Sequence, residues 1–118
     1  MANNHAKKAS MEWASLKKEA SVFPIYSMRK AWHVLEKEIY GMPNADRKNK
    51  NESVLLGKIE IGNLTVLDPR LGNLIHRLEY TRLSIESIQS PPTVMILEYI
   101  QACERVHRII NNYRKLPS

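Results

Sequence analysis

The residues best suited to chemistry lie near the C-terminus, where Gln101, Arg105, Arg108, Asn112 and Lys115 recur at intervals of four, three, four and three. That spacing stacks side chains along one line of an α-helix, with His107, Asn111 and Arg114 alongside on the same broad surface. Guanidinium and ammonium groups neutralise phosphates, and Asn hydrogen-bonds to sugar, phosphate or base edges. The candidate nucleic-acid-binding set is therefore Arg105, Arg108, Asn112, Arg114 and Lys115. A ligand-free explanation accounts for the same residues. Cations in the last turns complement the helix dipole, and Glu98 near the start completes that pattern. Four such contacts give only non-specific affinity, roughly 10⁻⁴ to 10⁻⁶ M, unless oligomerisation enlarges the footprint.

Other reactive residues are sparse. Cys103 and His107 stand four apart on the same helix, but a metal site needs three or four ligands, and His5, His33 and His76 are scattered over other segments. No metal or other cofactor is expected. There is no Gly-x-Ser-x-Gly, no phosphate-cradling glycine loop and no carboxylate pair within a motif, so no catalytic residue is assigned. Arg70 and His76, with five residues between them, resemble at those two positions the Arg-x(4 to 6)-His motif of the HEPN ribonucleases, with Leu71 where that family usually carries a polar residue. The resemblance implies a small helical domain that dimerises to pair two motifs, with Arg and His acting on a scissile phosphate and its attacking 2′-hydroxyl. The ligand-free alternative is a first-turn surface Arg70 and a helix-flank His76.

The chain that positions these residues has 118 amino acids, 43% hydrophobic and 25% charged, with a net charge of +6. This is enough for one ordinary core, and residues 10–116 are expected to form a single domain behind a flexible basic arm at 1–9. The positive excess lies toward the ends, which favours anionic partners in general, nucleic acid, an acidic protein surface or anionic lipid, without choosing among them. A single cysteine rules out an internal disulfide, and no apolar run approaches the roughly 20 residues of a membrane span. The N-terminus lacks the apolar core of a secretory signal, so a cytoplasmic or nuclear chain is expected.

The pattern predicts a mainly α fold of about four amphipathic helices, at roughly 11–22, 25–40, 69–89 and 93–115. Ser10 is read as the cap of the first helix, with Trp13, Leu16, Ala20 and Phe23 on one face. Pro24 ends that helix and can open the second, whose stripe is Ile25, Met28, Trp32, Leu35 and Ile39. Arg29, Lys30, Lys37 and Glu38 make its solvated face. Residues 41–53 read as a polar loop. Lys58–Ile61 and Leu64–Leu67, around Gly62-Asn63, suggest a small β-hairpin, against a competing helix begun at Ser53. Asp68-Pro69 then caps and starts a helix with Leu71, Leu74, Leu78, Ile85 and Ile88 inward. After Ser90-Pro91-Pro92 the last helix directs Ile96, Tyr99, Cys103, Val106, Ile110 and Tyr113 inward. The functional expectation is a small non-enzymatic helical module, a homo-oligomer or a subunit of a larger complex, contacting nucleic acid or a nucleoprotein assembly. The alternatives are a protein-binding adaptor or inhibitor and the HEPN-like ribonuclease.

Overall fold

The computed structural model describes residues 12–40, 52–61 and 64–115. Expectations for the N-terminal arm, the Ser10 cap, the polar loop at 41–51 and the Gly62-Asn63 turn fall outside those residues. Within them the chain is mainly helical with one small antiparallel hairpin. The elements are α1 (residues 12–19), α2 (Pro24–Tyr40), a single helical turn α3 (residues 52–55), β1 (Lys58–Ile61), β2 (Leu64–Leu67), α4 (Pro69–Glu86) and α5 (Thr93–Arg114).

Asp68 starts α4 as its sequence context demands. Its backbone is extended, its side chain accepts the Leu71 N–H at 3.1 Å, and Pro69 fills the first helical position where no amide is needed. Pro24 plays the same opening role in α2. Helix α4 stops at Glu86, three residues short of the predicted end. The Ser87 hydroxyl donates to the Ser84 carbonyl at 2.6 Å, and the Ser87 N–H is shared among the last carbonyls, closing the final turn. The paired prolines follow, and α5 begins directly after Pro92, whose carbonyl accepts from Met95 and Ile96.

Side-chain contacts give the order of packing. Tyr99 donates to the Leu78 carbonyl at 3.0 Å and Tyr113 to Asp68 at 2.5 Å, so α4 and α5 run antiparallel as a hairpin about the prolines. Arg29 pairs with Glu86 while the Arg82 guanidinium lies 6.0 Å from the Trp32 ring, so α2 runs antiparallel to α4. Lys17 pairs with Glu104 at 2.6 Å and Trp13 meets His107 edge-on, which lays α1 along α5. The hairpin pairs Ile59 with Val66 and Ile61 with Leu64, turning Ile59, Ile61 and Val66 inward onto the helices. A lone two-stranded hairpin is marginal in water, and this packing is what supports it.

The core follows the predicted stripes, except that Leu74, Ile88 and Phe23 are exposed and Ile25 and Tyr113 only partly buried. Met28, Trp32, Leu35 and Ile39 of α2 and Ile96, Tyr99, Ile100, Cys103, Val106 and Ile110 of α5 are buried, each fully buried isoleucine contributing about 1.5–3 kcal/mol. On α4, Leu71, Leu78 and Ile85 are buried, but Leu74 and Ile88 are 40% exposed and Ile75 is fully buried instead. The reason is that Ile88 lies beyond the helix end, and the buried face of α4 turns toward Ile75. Phe23, placed on the inward face of α1, is exposed because α1 ends at residue 19 and the chain turns outward before Pro24. The competing helix at Ser53 is present only as α3, after which Gly57 takes φ +85° and directs the chain into β1. Glu38, placed on the solvated face of α2, instead turns toward α5.

Candidate nucleic-acid interface

Helix α5 buries one side against α1, α2 and α4, and its opposite side is what the outside sees. Gln101, Arg105, Arg108, Asn112 and Lys115 are all exposed. The recurrence at three and four therefore corresponds to a surface line from Gln101 to Lys115, about 21 Å long at 1.5 Å per residue. Arg105, Arg108 and Lys115 have no acidic partner within 4 Å among the described residues. Lys17 is neutralised by Glu104, Arg29 and Arg82 by Glu86, and Arg114 by Glu38, whereas Lys18, Lys30, Lys37, Lys58, Arg70 and Arg77, scattered over the other elements, are likewise without an acidic partner within 4 Å among the described residues.

Arg114 and His107 do not belong to that free line. Arg114 reaches across to Glu38 on α2, and its other amino group lies 3.4 Å from the Asn111 side-chain oxygen. His107 is 7% exposed, with its ring edge-on to Trp13, Nδ1 3.3 Å from the Asn111 amide and Nε2 3.6 Å from Glu38. Burial holds this imidazole below its usual pKa, and the nearby carboxylates of Glu12 and Glu104 only partly oppose that. It sits as a neutral packing residue. Glu38, His107, Asn111 and Arg114 form a polar clasp between α2 and α5.

The other sequence candidates are not brought together. Arg70 is exposed in the first turn of α4, whereas His76 packs edge-on to Tyr80 at 4.8 Å. Six residues of helix put them about 9 Å apart along the axis and about 120° apart around it. Cys103 faces Tyr99, and burial pushes its thiol up to about 12, the pKa of an inert core group. Among the described residues no group of three potential metal ligands occurs, and no helix is long and apolar enough to cross a membrane.

Below the proline corner α4 and α5 diverge and leave an open groove of about 480 Å³, lined by Leu78, Thr81 and Ile85 on one side and Met95, Glu98 and Ala102 on the other. Tyr80, Leu83 and Val94 are exposed on the same two helices. The available signal was a surplus of apolar residues: Tyr80, Leu83 and Val94 lie outside the inward stripes. Comparison of the chain with protein-family models, with curated proteins and with solved structures gave no match.

Proposed function

We propose that this protein is a small helical binding module whose α5 face contacts the phosphate backbone of nucleic acid, without sequence readout of its own. The observation that carries this reading is the alignment of unpaired cations and amides along one exposed helix face. Arg105, Arg108 and Lys115 stand exposed and unpaired among the described residues, in line with Gln101 and Asn112, while Lys17, Arg29, Arg82 and Arg114 are held in ion pairs. Unpaired cations in a row retain their whole charge for phosphates, and the intervening amides supply hydrogen bonds that fix the strand. A cytoplasmic or nuclear site of action fits such a partner.

The test is salt-dependent binding of a labelled 30-nucleotide RNA and the corresponding duplex DNA. Each phosphate contact contributes about 0.7 (single strand) to 0.9 (duplex) to the slope of log K against log salt. Arg108→Glu/Lys115→Glu should lower that slope by about 1.4 to 1.8 and weaken binding, with an unchanged far-ultraviolet circular dichroism spectrum. Equal binding by the folded double variant would eliminate this reading. A chain that ignores both nucleic acids but is captured by an acidic protein in a charge-dependent way would establish the adaptor reading instead.

A further inference from the structure

The groove below the proline corner is apolar along its walls but carries one carboxylate, Glu98, on its α5 side. Glu98 is exposed and has no basic partner within 4 Å among the described residues. Arg105, also exposed and unpaired among them, stands seven residues on. Seven residues of helix place the two on nearly the same face, about 20° apart, yet about 10.5 Å apart along the axis, too far to meet within one chain. Ala102, a small residue on the groove wall, lies between them, four residues after Glu98 and three before Arg105.

We propose that a second copy of this chain docks in the α4–α5 groove, the two α5 helices lying antiparallel about Ala102 with Glu98 of each copy paired to Arg105 of the other. An antiparallel crossing at Ala102 exchanges positions equally distant from it. Glu98, four residues before Ala102, then falls about 1.5 Å along the axis from Arg105, three after, within reach of these long side chains on both sides of the axis, and Met95, seven before, meets Ile109, seven after. Both of these apolar side chains are only partly covered in the single chain. Alanine at the crossing allows the helix axes to approach to about 8 Å, the short end of helix–helix distances. Each copy thus fills the other's groove with its own Ala102–Ile109 segment, and the contact is self-complementary, as a two-fold interface must be. The unpaired acid and base lie on one face, on either side of a small residue and within one residue of equal distance from it, an arrangement in which a second copy of the same helix satisfies both.

This contact stands independently of nucleic acid; it withdraws Arg105 from the proposed phosphate face and leaves Arg108, Asn112 and Lys115 open. Arg108, Asn112 and Lys115 lie about 80–140° around the helix from Ala102. Each copy therefore presents its own set, while Arg105 moves into the seam.

The experiment is the solution mass of the full chain, free of nucleic acid, by sedimentation equilibrium from 1 to 200 μM. The wild type should approach twice 13.7 kDa. Glu98→Arg and Arg105→Glu, each turning two ion pairs into two repulsions, should weaken association by about tenfold or more. The double variant Glu98→Arg/Arg105→Glu restores both pairs and should restore the dimer. A second arm fixes the register: Ala102→Cys in a Cys103→Ala background should form an inter-chain disulfide on oxidation. A chain that stays monomeric at 200 μM overturns the proposal. So does a dimer indifferent to both single reversals, or one that fails to cross-link through position 102.

Discussion

Tyr113, near the end of α5, donates its hydroxyl hydrogen to Asp68, the residue that caps the start of α4, at 2.5 Å across 45 residues of chain. The two carboxylate oxygens are divided: Oδ1 takes the Leu71 N–H of the cap and Oδ2 takes the tyrosine. One side chain thus begins a helix and fastens the far end of its antiparallel neighbour to it. The tyrosine bond, then the Leu71 amide, holds the Asp68 carboxyl below its ordinary 3.8. Its contribution to stability is present above that ordinary value and is lost as pH falls through the lowered folded one.

Tyr113→Phe should therefore cost about 1 kcal/mol at neutral pH, the net value of one hydrogen bond. Asp68→Ala should cost more, about 1–2 kcal/mol for the cap alone. In an Asp68→Ala background the phenylalanine substitution should cost less than it does alone, because its partner is already gone. Urea midpoints of the four proteins at pH 7 check this. Repetition at pH 2–5 should show a shallower acid loss for Tyr113→Phe, whose Asp68 carboxyl relaxes toward the unfolded value.

His107 should dominate the pH dependence in the range just below neutrality. Its pKa is depressed in the folded chain by burial, so the unfolded chain binds its proton first as pH falls. Stability attached to this group is whole above the unfolded value near 6.5 and declines as pH drops toward the folded one. Glu12, Glu38 and Glu104 face the ring and moderate that decline, while Trp13 and Asn111 supply no charge. His107→Gln should flatten the curve below pH 6.5 when urea midpoints are compared from pH 5 to 8. An equally steep curve in the folded variant would assign the effect to another group.

Two glycines mark where the α3–β1 corner presses on α4. A Cβ on Gly72 would lie 2.1 Å from the Val54 carbonyl oxygen, and one on Gly57 would lie 2.6 Å from the Pro69 Cα. Alanine normally favours a helix over glycine by about 1 kcal/mol, so a gain is the naive expectation for Gly72→Ala. The clash with backbone reverses the sign, and a loss of about 1–3 kcal/mol is expected from forced displacement. Gly57→Ala should lose about 1–2 kcal/mol for its left-handed backbone in addition to its own clash. Denaturant midpoints of the two alanine variants test both signs.

Legibility divided along the line between local and tertiary causes. The Asp68-Pro69 start, the Pro24 start, the strand pair around Gly62-Asn63 and the proline-broken hairpin were readable because each rests on neighbours in sequence. Gly72 carried no such signal, since its neighbour Val54 comes from another element. The burial of His107 was available by arithmetic: four residues from Cys103, it falls within about 40° of the buried centre of α5. Residue type, a polar ring, obscured that. The neutralisation of Arg114 could not be read, because Glu38 belongs to α2 and only the packing of α2 on α5 brings them together.

That neutralisation separates two residues that the sequence placed in one binding set. Arg114 spends its charge on Glu38, whereas Arg108 has no acidic partner among the described residues. If the exposed line of α5 is the phosphate face, Arg108→Ala should lower the log K against log salt slope by about 0.7–0.9, the contribution of one contact. Arg114→Ala should leave that slope unchanged, yet lower the unfolding midpoint because it strips Glu38 of its cation and loosens the α2–α5 clasp. Anisotropy titrations with a 30-nucleotide RNA between 50 and 300 mM salt, together with thermal melts of both variants, provide the comparison. Equal slopes for the two variants would mean that Arg114 leaves Glu38 for the ligand and that the free line is longer than the packed chain presents.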